Sequence, residues 1–94
     1  LHSYRQLTDA IKGRSPGIAA SVNKLVSTEL NHEIAALGME LLGSYATLSK
    51  ASAHVVDRAI WPWEFMFTMG MIIGGGTSQI QKNIIAERGL GMPK

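Results

Sequence analysis

Apolar residues recur at every third or fourth position over much of this 94-residue chain, which is the spacing of amphipathic α-helices. The clearest case is residues 16–42. Ser15 and Pro16 form a start signal, with serine as the cap and proline in the first helical position, and Gly43 ends the helix. The stripe expected to be buried consists of Ile18, Val22, Leu25, Val26, Leu30, Ile34, Leu37 and Leu41. The pattern predicts one long central helix.

Three further helices are predicted, at residues 4–12, 62–73 and 78–88. The second is apolar nearly all round, so we expect it to be buried on most sides. In the last, we expect the isoleucines to be buried and the polar residues exposed, that is Ile80, Ile84 and Ile85 against Gln81, Lys82 and Glu87. Residues 50–60 suit either a short helix or a loop with a helical turn. With no strand pattern, the class is all-α, an antiparallel helical bundle, and residues 1–94 are expected to form a single incomplete helical domain.

Composition excludes several classes of function. Hydrophobic residues make up 46% of the chain and charged residues only 17%, which suggests that apolar surface is buried against another molecule. The net charge of +2 and the scattered basic residues do not indicate nucleic-acid binding. There are no cysteines, so disulfides and thiolate chemistry are excluded, and we expect a cytoplasmic protein.

Neither the first residues of the chain nor its longest apolar run has the pattern of a targeting or membrane-spanning segment. The run from Phe65 to Gly76 is too short to span a bilayer, which takes about 20 residues, so no membrane span is expected. The first five residues lack the apolar core of a signal peptide. Leu1 is not an encoded start, so we expect a processed or truncated chain.

Three glycines, Gly74 to Gly76, separate the last two predicted helices. Thr77 and Ser78 can both cap a helix, and Ser78 with Gln81 has the spacing of a capping box. Free amides at a helix start favour a negatively charged group such as a phosphate. The residues alone therefore leave two interpretations open, a helix-helix connection without a ligand and a seat for an anion.

Other polar groups are weaker candidates for chemistry. Glu29, His32 and Glu33 contain the Glu-x-x-His spacing of di-iron bundles, but the further ligands of such a site are missing, so no metal is expected and a solvated polar face is favoured. His54 and Asp57 suit a surface pair. The methionines of the third helix suit an adaptable core, or a wall against a partner helix or an acyl chain; they are Met66, Met69 and Met71.

The C-terminal part of the chain resembles one enzyme family. The fourteen residues Gly75 to Arg88 read Gly-Gly-Thr-Ser-Gln-Ile-Gln-Lys-Asn-Ile-Ile-Ala-Glu-Arg. Together with the terminus Gly-Leu-Gly-Met-Pro-Lys, they resemble the end of the acyl-CoA dehydrogenases, flavin enzymes that oxidise acyl-CoA thioesters between the α and β carbons. The segments 24–33 and 41–46 are similar to the long helix and following glycine turn of bacterial members. The resemblance implies the later part of the family's C-terminal four-helix domain.

The resemblance also implies site residues. The Thr-Ser-Gln that opens the last helix contacts FAD in the family, which gives Thr77, Ser78 and Gln79 here. The preceding glycine, Gly76, is expected near the thioester. An earlier glycine turn, which reaches the flavin of a neighbouring subunit in relatives, corresponds to Gly43, although its usual glutamine-containing form is not preserved.

Gly75 is the important departure from the family pattern. Many members carry a glutamate there as the base that removes the α proton, and glycine cannot act as a base. In relatives with glycine at this position, the base comes from an earlier helix of the bundle or from a partner subunit. We therefore assign no catalytic residue, and expect these 94 residues to be inactive alone and not to retain FAD.

Two hypotheses of function follow. The first is a C-terminal fragment of an FAD-dependent acyl-CoA dehydrogenase that contributes flavin contacts and subunit packing. Its partners would be an acyl-CoA, an electron acceptor and other subunits, in a homo-oligomer or a mixed tetramer. The second is a small noncatalytic helical protein derived from the same fold and used as an association module. In isolation we expect self-association through the apolar faces of 18–42 and 65–73.

Overall fold

A computed structural model describes residues 2–15 and 17–93. Within them lie four α-helices, α1 (His2–Ile11), α2 (Ile18–Leu42), α3 (Ile60–Ile73) and α4 (Ser78–Ile84). The described ranges contain no strand, so the all-α class predicted from the sequence is confirmed. Helix α3 begins two residues earlier than expected, and α4 passes after Ile84 into a π-helical turn, Ile85–Gly89. The expected role of Pro16 lies outside the described residues.

Helix α2 is the element against which the other three pack. Gln6 of α1 donates to the carbonyl oxygen of Ala19 at 2.6 Å, and Ser3 lies within 3.5 Å of Asn23, so α1 runs antiparallel to α2. In α4, Lys82 lies 3.8 Å from Glu29, and the π-helical turn that follows α4 lies against the beginning of α2. Helix α4 therefore runs antiparallel to α2. Helix α3 is antiparallel to α2 as well, because it begins near Gly38 and ends near Lys24.

Small residues form the contact between α2 and α3. The buried residues of α2 are Thr28, Ala35 and Gly38, and the buried residue of α3 is Thr68. The indole ring of Trp61 lies against Gly38, where there is no side chain to hold it off. Small residues at these positions allow the two backbones to approach closely there.

The stripe that was expected to be buried on α2 is largely exposed, which corrects the prediction. The side chains from Val26 onward are 48–80% exposed, namely Val26, Leu30, Ile34, Leu37 and Leu41. The reason is that α3 packs on the neighbouring face of small residues, so nothing in the described part of the chain covers the stripe. The apolar residues of α3 are exposed as well, with Met66 at 69% and Ile73 at 65%.

The chain is open for its size. Its accessible surface is 7013 Å², whereas a compact monomer of this mass exposes about 5,300 Å². Among the described residues the buried hydrophobic side chains are those of three alanines, Ala35, Ala46 and Ala59. Such a core is small for a chain of this length, and large apolar side chains remain exposed.

The ends of α2 and the connection to α3 are shaped by left-handed backbone. The residue that caps α2 is Gly17, with φ +54° and no side-chain cap, and not Ser15 as the sequence suggested. At the other end, Gly43 also has φ +54° and opens a short 3₁₀ helix, Gly43–Thr47. Residues 50–59 form turns and a 3₁₀ helix, Asp57–Ala59, whose three residues all have positive φ.

The helices of the described residues are short or contain many polar residues. None of them combines the length and the apolar composition that a membrane crossing requires.

Candidate functional site at the glycine turn

The glycine turn, defined here as Gly74 to Thr77, joins α3 to α4. The amide of Gly74 donates to the carbonyl oxygen of Gly70 at 2.8 Å and ends α3. Gly75 and Gly76 follow with φ +69° and +99°, conformations that residues with a side chain rarely adopt. Thr77 then caps α4, because its hydroxyl accepts a hydrogen bond from the amide of Ile80 at 3.3 Å.

The cap at Thr77 corrects two expectations about α4. Ser78 is not the capping residue, so the proposed capping box with Gln81 does not form. The side-chain amide of Gln81 instead donates to the carbonyl oxygen of Gly75 at 2.7 Å. Gln81 is only 6% exposed, while Ile80, which was expected to be buried, is 49% exposed. Adjacent residues of an α-helix lie about 100° apart, so the face of α4 that packs on the glycine turn contains Gln81 and leaves Ile80 exposed.

Lys24 of α2 holds the glycine turn from the other side. Its ammonium donates to the carbonyl oxygen of Gly76 at 2.6 Å and to that of Ile72 at 2.9 Å. The carbonyl groups at the end of a helix carry partial negative charge, which a lysine stabilises. Lys24 and Gln81 together therefore bind three carbonyl groups of the turn and of the end of α3.

The structure brings most of the residues implied by the resemblance into one place. Thr77 is half-buried, Ser78 is buried and Gln79 is exposed, all at the start of α4. Gly76 directly precedes them. Gly43 is far from them, because it lies at the other end of α2, about 28 Å along the helix axis from Lys24 at 1.5 Å per residue. A ligand held at the glycine turn is thus remote from Gly43 of the same chain.

The remaining polar candidates have structural partners. Nδ1 of His32 lies 3.0 Å from the hydroxyl of Thr68, and its ring stacks on that of Phe65 with centroids 5.0 Å apart. The Thr68 hydroxyl also donates to the carbonyl oxygen of Glu64 at 2.9 Å, so it links His32 to the backbone of α3. In the described ranges no three His, Asp or Glu side chains are grouped as metal ligands.

The surface pair predicted between His54 and Asp57 is wrong, because none of the described hydrogen bonds or ion pairs joins the two side chains. Asp57 accepts a hydrogen bond from the indole N–H of Trp61 at 3.2 Å. The backbone amide of His54 donates to the hydroxyl of Ser52 at 3.2 Å. These contacts fix the connection before α3 and bring no acid or base toward the glycine turn.

An open groove of about 300 Å³ lies between α2 and α3, away from the turn. Glu64 is the one acidic or basic residue among the described residues that line it, so the groove offers no acid–base pair. Its walls are mainly apolar; the lining residues are Asn31, Ile34, Ala35, Ile60, Trp61, Glu64, Thr68 and Met71. This groove continues the exposed apolar surface of α2.

Two residues of the site, Lys24 and Gln81, were missed from the sequence. A weak signal exists for Lys24, because it is the one charged residue between Ile18 and Thr28. Its partners are 48 and 52 residues away, so no local pattern could identify them. For Gln81 a local signal exists, its capping-box spacing from Ser78. That spacing predicts a hydrogen bond at the start of α4, whereas the side chain binds Gly75.

The chain is similar to known proteins of one family. The sequence model of the acyl-CoA dehydrogenase C-terminal domain matches residues 1–90. The acyl-CoA dehydrogenase FadE26 of Mycobacterium tuberculosis is 37% identical over 82 residues, which are 87% of this chain and 20% of that protein. FadE34 of the same organism is 34% identical over 85 residues, which are 90% of this chain and 11% of that protein.

A solved structure shows the same fold. The ChsE4–ChsE5 complex from Mycobacterium tuberculosis matches with a TM-score of 0.79 at 35% identity, over 95% of this chain and 23% of the matched chain. The chain thus spans between about a tenth and a quarter of the relatives it matches. By its sequence and its fold, this chain belongs to the acyl-CoA dehydrogenase family and represents part of its C-terminal helical domain.

Proposed function

We propose that the chain contributes the flavin-facing end of the C-terminal domain in an FAD-dependent acyl-CoA dehydrogenase. The reaction is removal of hydrogen from the α and β carbons of an acyl-CoA thioester. The observation that carries the proposal is the glycine turn, held by Lys24 and Gln81 and followed by Thr77, Ser78 and Gln79, in a chain that belongs to this family. FAD, when bound, supplies the acceptor for the hydride.

The donor groups at the turn suit a cofactor rich in hydrogen-bond acceptors. The Thr77 hydroxyl accepts from Ile80 N–H, which leaves its own proton for a ligand. The side-chain amide of Gln79 is exposed and can both donate and accept. One buried acceptor, Oε1 of Gln81, has no partner among the described residues, and a buried acceptor of this kind is costly unless a donor reaches it. These features fit a bound polar group.

The residues at the turn have distinct proposed roles. Thr77, Ser78 and Gln79 would hold FAD, and Gly76 would lie next to the thioester, because the absence of a side chain allows close approach. Gly43 would contact the flavin of a neighbouring subunit, which agrees with its distance from the turn of its own chain. Substitutions at these residues would test the proposed substrate-binding role of Gly76 and the proposed cofactor-binding roles.

Removal of the α proton requires a base that the turn does not contain. Gly75 has no side chain, and the charged side chain at the turn, Lys24, donates both of its observed hydrogen bonds. We propose that the base belongs to an earlier helix of the bundle or to a partner subunit. The 94 residues are accordingly proposed to be inactive alone.

The exposed apolar faces support a proposal about assembly. The stripe on α2 and the exposed side of α3 would pack against other helices of the bundle and other subunits. The related structure is a complex of two different chains, ChsE4 and ChsE5, so a mixed assembly is proposed beside a homo-oligomer. We propose the cytoplasm as the compartment, and an acyl-CoA and an electron acceptor as further partners.

A second candidate is a noncatalytic association module. It is favoured by the exposure of the α2 stripe, with Leu41 at 80% and Leu37 at 55%, together with glycine at the usual position of the base. In this case the glycine turn would be a structural connection and the apolar faces would bind a partner.

Recovery of the polypeptide from the cells that produce it separates the two candidates. An antibody raised against residues 78–93 would isolate it, and intact mass and bound flavin would be measured on the product. The dehydrogenase proposal expects FAD in the isolated material and acyl-CoA-dependent reduction of a dye. Material without flavin that co-purifies with a noncatalytic partner would support the association module and contradict the first proposal.

A further inference from the structure

We propose that Lys24 is a positioning residue that sets the orientation of the glycine turn. Its ammonium reaches from α2, beside the end of α3, to the carbonyl oxygens of Ile72 and Gly76. One hydrogen bond lies at the end of α3 and the other directly before the cap of α4. A single side chain therefore fixes the two helices relative to each other at their junction. Its importance for the reaction rests on the proposed function.

The geometry of the peptide groups shows what is positioned. The described residues contain no cis peptide, and in a trans peptide the C=O and N–H groups point in opposite directions. Because the carbonyl of Gly76 faces Lys24, the amide of Thr77 faces away from α2. The carbonyl of Gly75 is held by Gln81 at 2.7 Å, so the amide of Gly76 is fixed in the same manner.

An apolar residue could not replace Lys24 without loss. Two carbonyl oxygens accept hydrogen bonds from this one side chain, that of Ile72 in α3 and that of Gly76 in the glycine turn. The side chain therefore needs more than one donor proton. The ammonium provides three protons on a flexible stem, and it also stabilises the negative end of α3. A methionine would have similar length and no donor, which makes Lys24→Met the informative substitution.

Lys82 is a matched control within the same chain. Lys82 lies in α4, which packs on α2, and its ammonium nitrogen lies 3.8 Å from a carboxylate oxygen of Glu29 in α2. Its side chain, however, is 61% exposed, and exposed pairs of this kind contribute little to stability. A general effect of removing a lysine would therefore appear in Lys82→Met as well.

The first test uses the unmodified chain, so it does not depend on the folding of a variant. Lysine acetylation by limiting acetic anhydride would be followed by mass spectrometry of peptides. Because Lys24 is half-buried with two hydrogen bonds, we expect it to react about tenfold more slowly than Lys82, the factor that corresponds to about 1.4 kcal/mol. Equal rates at Lys24 and Lys82 would overturn the proposal.

The second test separates positioning from general stability. Hydrogen exchange of single amides would be measured by NMR in Lys24→Met, Lys24→Arg and Lys82→Met. We expect Lys24→Met to speed exchange about tenfold at Gly74, Ile80 and Gln81 and not at Lys12, since local opening affects only nearby amides. Lys24→Arg, which keeps the charge and the donors, should restore most of the protection.

The outcomes are distinct from those of the proposed function, because neither test contains flavin. An equal increase in exchange rate at all amides of Lys24→Met, or no increase at the amides of the turn, would contradict a positioning role. Isolated material without FAD would contradict the proposed function and leave the result for Lys24 unchanged.

Discussion

Trp61 at the start of α3 lies so close to Gly38 of α2 that a Cβ atom on Gly38 would come within 2.7 Å of Cδ2 of the indole. This contact fixes one end of the α2–α3 pair. Lys24 fixes the other end by its hydrogen bond to Gly76. The glycine turn is thus held at a defined place by contacts at both ends of a helix pair.

A methyl group at Gly38 should destabilise the chain. Overpacking of a tight contact costs about 1–3 kcal/mol, more than the gain of up to about 1 kcal/mol that alanine brings to a helix interior. We expect Gly38→Ala to lower the urea midpoint of unfolding, followed by far-UV circular dichroism at constant protein concentration.

Gly70 provides the matched control for this prediction. It lies inside α3, and a Cβ atom there would meet nothing within 4 Å. Gly70→Ala should therefore raise the free energy of unfolding by about 0.5–1 kcal/mol. Equal effects of the two substitutions would contradict the packing described for Trp61.

The two glycines with positive φ in the turn should differ in their tolerance of a side chain. At Gly75 the added Cβ meets only Cε of Lys24 at 4.0 Å, so Gly75→Ala should cost about 1 kcal/mol, the penalty of the left-handed backbone. At Gly76 the Cβ would come within 2.9 Å of the Gln81 amide nitrogen. Gly76→Ala should cost about 2–3 kcal/mol, because the hydrogen bond to Gly75 is also disturbed. Chemical unfolding of both variants measures the difference, and a smaller loss for Gly76→Ala would refute it.

The cap of α4 can be tested at Thr77. Removal of its hydroxyl leaves the amide of Ile80 without the observed partner, so Thr77→Ala should cost about 1 kcal/mol. Thr77→Ser keeps the acceptor and should retain most of the stability. Gln79→Ala, at an exposed neighbouring position, should change stability by no more than about 0.5 kcal/mol. A loss in Gln79→Ala as large as that in Thr77→Ala would speak against the cap.

The sequence predicted what depends on local signals. The end of α2 follows from Gly43, and the break between α3 and α4 follows from three consecutive glycines. The face on which α2 packs could not be predicted, since an apolar stripe shows that a surface becomes buried and does not show by which partner. The stripe containing Leu30 and Leu37 is left exposed, while small residues such as Ala35 make the contact with α3.

The site could be predicted only in part for a related reason. Gln81 was assigned to a capping box because Ser78 has the right spacing, but the structure caps the helix one residue earlier at Thr77. Lys24 acts on residues distant in sequence, and only the packing of α3 on α2 brings them together.

The exposed apolar stripe of α2 should cause self-association of the isolated chain. Leu30 and Leu37 are 51% and 55% exposed, and apolar surfaces of this extent are usually covered. Sedimentation velocity at micromolar concentration should show dimers or larger species. The double variant Leu30→Glu and Leu37→Glu should shift the distribution toward monomer, whereas Glu33→Gln on an exposed position of the same helix should not. A monomeric wild-type chain would contradict the proposal for this surface.

The central claim, that this glycine turn faces the flavin of an acyl-CoA dehydrogenase, is tested most directly by spectroscopy of the natural polypeptide, recovered intact from its own cells together with the subunits bound to it. The visible flavin band would be recorded under anaerobic conditions before and after addition of an acyl-CoA. The account predicts that the band is present and bleaches as the thioester is oxidised. A recovered polypeptide that shows no flavin band, or a band that no acyl-CoA bleaches, would contradict it.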